Sequence, residues 1–209
     1  MKDKSMNKLG GEFWDERYSS IGFVYGTEPN IFFKDELDKL QTGNVLLLGK
    51  GEGRNAVYAA TQGWEVDAVD FSTIGKEKAL KLADENNVKI NYGVVNLSDY
   101  TFKLKDYDAI AIIYLHLKPK IRSEIHSQVF NSLKSNGILI LEVFEKDQLG
   151  RTSGGPQNID MLYFKEEIEK DFEKMQINSL EKIVIELDEG ENHRGEAVVL
   201  QLVAEKLDH

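Results

Sequence analysis

The stretch NVLLLGKGEGRNAVYAA, residues 44–60, places three glycines at alternate positions between an apolar run and a segment with helical spacing. The run at 44–48 is typical of a buried strand, and the segment at 53–62 is typical of a helix. Glycine permits positive φ and lets a ligand approach the backbone closely. A helix N-terminus also presents free N–H groups. The stretch therefore predicts a ligand-binding loop or, alternatively, a tight strand-to-helix turn without a ligand.

Strand-like and helix-like segments alternate through the next part of the chain. The apolar, β-branched runs predict strands, and the amphipathic segments between them predict helices. Strands are expected at 65–70, 89–95, 108–114 and 138–144, and helices at 74–86 and 119–134. In the last helix, Ile121, Ile125, Val129 and Leu133 recur along one stripe. This alternation predicts a doubly wound α/β fold with a mostly parallel sheet.

The pattern changes after residue 144. Residues 145–160 contain three glycines and a proline without periodicity, which is typical of a long functional loop. A short helix is expected at 164–173. The strand-like runs 180–187 and 196–203 are joined by DEGENHRG, which predicts an antiparallel hairpin and brings the sheet to seven strands.

Composition limits the classes of function. The 209 residues, 41% of them hydrophobic, are expected to form one domain, 1–209, with an N-terminal segment at 1–35 preceding the body at 36–209. The net charge of −10 argues against binding to nucleic acid or an anionic membrane, so a small molecule is the expected partner. The chain has no cysteine, and its four histidines are scattered, so no metal site is expected. No signal peptide or membrane span is recognised, and cytoplasmic localisation is expected.

Asp70 ends the second predicted strand, 21 residues after Gly49. A carboxylate there can accept hydrogen bonds from both hydroxyls of a ribose, as in dinucleotide folds. Alternatively, Asp70 caps the following helix, although Ser72 could do so instead. The dinucleotide fingerprint requires a glycine where this chain has Arg54, which disfavours a nicotinamide cofactor.

The glycine loop, the acid ending the second strand and the closing hairpin together resemble class I S-adenosylmethionine-dependent methyltransferases, which have a Rossmann-like fold. The segments FWDERYSSIGFVYGTEPN, GEGRNAVYAA, AVDFS and LDEGENHRGEAVVLQLVAEK are similar to those of the tellurite-resistance and thiopurine methyltransferase group. The resemblance implies that 1–35 folds over S-adenosylmethionine as a lid.

The resemblance also implies roles for individual residues. Gly49, Gly51 and Gly53 would face the methionine part of the cofactor. Asp70 would hold the ribose, Phe71 would lie against the adenine, and Asn96 with Leu97 would read its amino group. Tyr114 and His116 would line the transfer site, and an aromatic of the N-terminal segment, such as Tyr25, would stack on the cofactor or pack on the body.

His193 and Arg194 are the implied acceptor-side residues, as general base and anion-binding group. Without the resemblance, the sequence predicts that His193 and Arg194 are ordinary turn residues. The alternative for His116 is that it caps the loop that follows its strand. Arg17 and Arg151 are further candidates for anion contacts. Lys50, between two loop glycines, is expected to extend into solvent because its long stem allows this.

Two functions follow from these residues. The first is methyl transfer from S-adenosylmethionine to a small acceptor such as a thiol, an oxyanion like tellurite, or another metabolite. The second is a non-catalytic S-adenosylmethionine-binding or regulatory protein, because Asn96 replaces the usual acid and Lys50 adds a cation to the loop.

Overall fold

The computed structural model describes residues 10–190 and 192–208. Within them, seven strands form one sheet. They are β1 (Asn44–Leu48), β2 (Glu65–Asp70), β3 (Asn91–Val94), β4 (Tyr107–Ile113), β5 (Leu133–Phe144), β6 (Gln176–Asp188) and β7 (Arg194–Glu205). The strand order is β3-β2-β1-β4-β5-β7-β6, with the first five strands parallel and β7 antiparallel to both neighbours. This confirms the predicted mixed sheet with a closing antiparallel hairpin.

Six α-helices pack around the sheet in the described part of the chain. They are α1 (Gly10–Tyr18), α2 (Ile31–Leu37), α3 (Arg54–Thr61), α4 (Thr73–Glu85), α5 (Pro119–Ser132) and α6 (Lys165–Asp171). The helices α1 and α2 give no clear sequence signal because both are short. Asn30 begins α2, where its side chain accepts a hydrogen bond from the Phe33 N–H. No helix among these residues is long and apolar enough to cross a membrane.

The central strands are buried on both faces. In β1, Val45 and Leu47 belong to one apolar cluster, whereas Leu46 and Leu48 belong to the other. A strand covered on both faces has no polar alternation, which explains the continuous apolar run in the sequence.

The start of β5 differs from the prediction. Leu133 pairs with Tyr107 as the first residue of the strand and does not continue the helix as expected. It still joins Val129 in the same apolar cluster, so its burial is satisfied from extended backbone. Core packing therefore determines the end of α5.

Gly53, which precedes α3, is expected to be the loop glycine most sensitive to substitution. Its φ is +89°, and a Cβ added there would lie 2.5 Å from the Cβ of Ala79 and 2.9 Å from its Cα. Gly63, at the other end of the same helix, has φ +91° and only an ordinary contact at 3.9 Å. Both alanine variants would pay the left-handed backbone cost of about 1–2 kcal/mol, but only Gly53→Ala adds the steric conflict.

We expect Gly53→Ala to lower the free energy of unfolding by about 1–2 kcal/mol more than Gly63→Ala, measured by urea denaturation. Equal losses in the two variants would show that helix α4 yields to the added methyl group.

Candidate functional site

The glycine loop turns the chain from β1 into α3. Gly49, Gly51 and Gly53 have φ of +67°, +48° and +89°, so each adopts the left-handed backbone that favours glycine. A Cβ on Gly49 would lie 2.7 Å from the Leu115 side chain, and a Cβ on Gly51 would collide with the Tyr18 hydroxyl. The loop is thus a backbone cradle that side chains approach closely.

Asp70 is buried beside this cradle. Its carboxylate accepts hydrogen bonds from the Gly51 N–H at 2.8 Å and the Ser72 N–H at 2.9 Å. Burial raises the pKa of Asp70, and these backbone donors partly offset that effect. The Ser72 hydroxyl accepts from the Gly75 N–H and caps α4. Asp70 is therefore not the helix cap, and each of its carboxylate oxygens accepts one backbone hydrogen bond.

The N-terminal segment lies over the loop. Glu52 accepts from the Val24 N–H at 2.7 Å and pairs with Lys78 at 2.8 Å. Phe71 contacts α1 closely, since a Cβ on Gly11 would lie 2.7 Å from its ring. Arg17 donates to the Tyr25 hydroxyl at 2.8 Å. Residues 10–25 thus cover the glycine loop and the end of β2; residues 1–9 of the expected lid lie outside the described residues.

The expectation that Lys50 extends into solvent is wrong. The residue is only 7% exposed, and its Nζ is buried without a hydrogen-bond partner among the described residues. Burial and the nearby Arg54 charge lower its pKa to about 7, against a smaller opposing effect of Asp70. The loop backbone on either side of Lys50 is covered, at Gly49 by Leu115 and at Gly51 by Tyr18, so the side chain is enclosed.

The residues that follow β3 and β4 occupy different environments. Asn96 is exposed, and its side chain accepts from the Ser98 N–H, whereas Leu97 is buried in the core. His116 lies 2.9 Å through Nδ1 from the Met161 carbonyl, and burial lowers its pKa to about 4. His116 is therefore uncharged at neutral pH and holds the loop that carries Met161.

Tyr114 has a strained backbone. Its φ of +53° is unusual for a bulky residue and costs about 1–2 kcal/mol. Its ring stacks on Phe144 with centroids 4.8 Å apart. The hydroxyl is buried beside the Glu142 carboxylate. Such backbone strain is typical of functional positions.

A cavity of about 430 Å³ opens beside Tyr114. We call it the acceptor cavity; it lies between the segment 25–35 and the ends of β5, β6 and β7. Arg54, the first residue of α3, lines the cavity and directly follows Gly53 of the glycine loop. Its lining includes Tyr25, Asn30, Arg54, Tyr114, Glu142, Glu189 and Gln201.

Glu142 is the most buried carboxylate of the acceptor cavity, at 1% exposure. It accepts hydrogen bonds from the Asn30 amide at 2.6 Å and from the Gln201 amide. Burial raises the pKa of Glu142, and its hydrogen bonds partly offset the rise. Sequence patterns missed this group because Glu142 lies inside an apolar strand run and its partners are distant in the chain.

Glu189 organises the hairpin side of the cavity. Its carboxylate pairs with Arg54 at 2.8 Å and lies 3.2 Å from the His193 Nδ1. Burial raises the pKa of Glu189, but the hydrogen bond with His193 and the charge of Arg54 outweigh this effect and lower the pKa to about 2. Burial also lowers the pKa of His193, whose ring lies 4.6 Å from that of Tyr25 and 4.9 Å from that of Tyr114. His193 therefore supports Glu189 and both tyrosines from behind the cavity wall.

Arg194 and Arg151 do not line the acceptor cavity, although Arg194 pairs with Asp188, which does. Arg194 is 74% exposed and pairs with the exposed Asp188, and Arg151 pairs with Glu196. The structure brings His193, Tyr25 and Tyr114 together but leaves Arg194 outside. Arg54, which the sequence marks only as a departure from a fingerprint, is the arginine at this cavity.

One protein family matches part of the chain by sequence. Residues 45–137, less than half of the chain, match a family model described as a methyltransferase domain. No curated protein matches the chain by sequence.

Solved structures are similar in fold. TehB from Haemophilus influenzae superposes with a TM-score of 0.71 at 14% identity, covering 94% of this chain and 66% of that one. A protein from Methanosarcina mazei, described as an S-adenosylmethionine-dependent methyltransferase, gives 0.65 at 18% identity, with 87% and 100% covered. The [4+2]-cyclase SpnF gives 0.67 at 14% identity, with 90% and 88% covered.

The glycine cradle, the buried Asp70 and the unpaired Lys50 are compatible with a nucleoside cofactor that carries a carboxylate. The predicted doubly wound fold of class I methyltransferases is confirmed. Residues 45–137 match a family model described as a methyltransferase domain, and the chain shares its fold with solved S-adenosylmethionine-dependent methyltransferases.

Proposed function

We propose that this protein transfers the methyl group of S-adenosylmethionine to a small molecule bound in the acceptor cavity. The observation that carries the proposal is that the cavity is lined by Arg54, which directly follows the glycine loop, and by Tyr114, which directly follows β4 beside β1. S-adenosylmethionine would supply an activated methyl group. Gly49, Gly51 and Gly53 would hold its methionine part, and Asp70 its ribose hydroxyls.

The chain's contribution to such a transfer is mainly positioning and exclusion of water. The segment 10–25 covers the loop, and Tyr25 and Tyr114 line the acceptor cavity. Lys50 would face the cofactor carboxylate or remain uncharged near its sulfonium. Phe71, Asn96 and Leu97 stay proposed adenine-side residues, although Phe71 also packs on α1.

The acceptor classes that follow from the family resemblance are a thiol, an oxyanion such as tellurite, and another small metabolite. Similarity in fold to TehB supports the tellurite-type acceptor only through architecture, because identity is 14%. In this proposal His193 acts on the acceptor side through Glu189 and the tyrosine rings, Arg194 acts only through Asp188 at the cavity, and His116 lies near the transfer site.

Measuring S-adenosylhomocysteine formation by mass spectrometry tests the proposal. We expect product with at least one small acceptor in a panel of thiols, tellurite, amines and carboxylates, and none without acceptor. Binding of the cofactor with no product across the whole panel would contradict it.

A second function is supported by particular observations. Asn96 is exposed, and its side chain already accepts a hydrogen bond from the Ser98 N–H. Lys50 is buried in the glycine loop. A protein described as a [4+2]-cyclase shares the fold. A binding or regulatory protein on this fold would retain S-adenosylmethionine without turnover. The same product assay, combined with calorimetry of cofactor binding, distinguishes the two.

A further inference from the structure

The acceptor cavity is strongly acidic. Its lining includes six carboxylates and one arginine among the described residues. The carboxylates belong to Glu28, Asp35, Glu142, Glu186, Asp188 and Glu189. Four of them are exposed at the mouth, whereas Glu142 and Glu189 lie inside. A cleft lined by one sign of charge concentrates ligands of the opposite sign and repels ligands of its own.

Two of these carboxylates are paired, Glu189 with Arg54 and Asp188 with Arg194, so the lining keeps a net negative charge and its arginine is already engaged. Arg54 pairs with Glu189 at 2.8 Å and donates to the Glu28 carbonyl at 3.3 Å. An anionic acceptor would therefore have to displace Glu189 from Arg54 while passing the acidic mouth. Both requirements disfavour tellurite, carboxylates and thiolates.

The buried carboxylate of Glu142 is placed to accept a hydrogen bond from a charged donor. Glu142 is 1% exposed, accepts hydrogen bonds from the neutral amides of Asn30 and Gln201, and lies beside the neutral hydroxyl of Tyr114. Charge-assisted hydrogen bonds are about twice as strong as neutral ones, so an ammonium at this position would gain more than water does. Glu189, 3.5 Å from the Asn30 amide, lies next to it.

The tyrosines supply a second feature. The Tyr114 hydroxyl is buried beside the Glu142 carboxylate, and the Tyr114 backbone is strained at φ +53°. Tyr25 lines the same cavity. Tyrosine rings attract cations over their faces, and the hydroxyl can accept a hydrogen bond from an N–H donor.

Resting on the proposed function, we propose that the methyl acceptor is a small amine that enters as an ammonium ion and is held by Glu142 and the rings of Tyr25 and Tyr114. The ammonium gives one proton to the Glu142 carboxylate and becomes a neutral amine. The nitrogen lone pair then forms the N–CH₃ bond as the S–CH₃ bond breaks, and its electrons stay on sulfur. The products are a methylated ammonium and S-adenosylhomocysteine, and Glu142 releases its proton to water.

Three probes of the same skeleton test the inference without cofactor: 2-phenylethylamine, 2-phenylethanethiol and 3-phenylpropanoate. Binding to the full chain is measured by NMR titration near neutral pH. We expect the amine to bind at least about tenfold more tightly than the other two. Equal or tighter binding of the thiol or the carboxylate would overturn the inference.

Glu142→Gln keeps the shape of the side chain and removes its charge, and the Gln201 amide can turn to match it. We expect this variant to lose about tenfold in amine affinity, whereas Glu65→Gln, an exposed site at the amino end of β2, changes it less than about twofold. Unchanged amine binding by a folded Glu142→Gln protein would overturn the assignment. Should Glu142→Gln not fold, Tyr114→Phe replaces it, with about threefold weaker amine binding expected and unchanged binding overturning the inference.

The product assay separates the inference from the proposed function. Formation of S-adenosylhomocysteine with thiols or oxyanions but not with amines would support the proposed methyl transfer and refute the inference that the acceptor is an amine. No product with any acceptor refutes both the transfer and the role of the amine as its acceptor.

Discussion

Replacing Lys50 with methionine is expected to raise the free energy of unfolding of the cofactor-free protein by about 2–4 kcal/mol at neutral pH. The Lys50 Nζ is buried without a partner in the described residues, and burial lowers its pKa from 10.5 to about 7. Methionine fills a similar volume without a polar atom to desolvate. Chemical denaturation of both proteins measures the difference.

The same residue predicts a pH dependence with a defined sign. Between about pH 7 and 10.5 the unfolded chain holds a proton on Lys50 that the folded chain has lost. Stability of the wild type should therefore rise with pH across this window, by up to about 1.4 kcal/mol per pH unit. The cost of burying the charged Lys50 side chain is fully present below about pH 7 and absent above about pH 10.5. Lys50→Met should lack this rise.

Lys81→Met is the matched control for this prediction. Lys81 lies on α4 with a side chain that is 72% exposed, so its replacement should change stability by less than about 0.5 kcal/mol. A stability of Lys50→Met equal to or below that of the wild type would mean that Lys50 has a partner in solution.

Asp70→Asn is expected to weaken S-adenosylmethionine binding at least about 100-fold. The carboxylate holds the Gly51 and Ser72 N–H groups and has further lone pairs for ribose hydroxyls. An amide at this position presents a donor to one of those N–H groups and loses charge-assisted bonds to the ligand. Calorimetric titration of the variant measures the loss.

Asp67→Asn provides the control on the same strand. Asp67 accepts hydrogen bonds from Asn91, Lys103 and Tyr107, away from the glycine loop. We expect this variant to be less stable but to bind the cofactor as the wild type does. Similar losses of affinity in both variants would assign the effect to β2 as a whole and not to the ribose.

The sequence predicts the fold well because its central strands carry a strong physical signal. The run at 45–48 is apolar throughout, since both faces of β1 are covered, and the hairpin follows from two β-branched runs around a polar turn. The end of α5 is less predictable because Leu133 satisfies the same core contact from a strand. Helices α1 and α2 are stabilised by contacts with the body, which local patterns do not encode.

The cofactor side of the site is more predictable than the acceptor side. Glycines with positive φ and an acid at a strand end have local signatures, so the geometry of Gly49, Gly51, Gly53 and Asp70 follows from their spacing, and their role toward a cofactor stays a prediction. The acceptor cavity depends on contacts between distant residues, such as Asn30 with Glu142, 112 positions apart. The burial of Lys50 likewise depends on the covering N-terminal segment.

Titration calorimetry with S-adenosylmethionine and S-adenosylhomocysteine tests the central claim most directly. We expect both to bind the wild-type chain with dissociation constants in the micromolar range, corresponding to about −8 kcal/mol, and Asp70→Asn to abolish measurable heat at the same concentrations. No binding of either compound to the wild type at millimolar concentration would contradict the account.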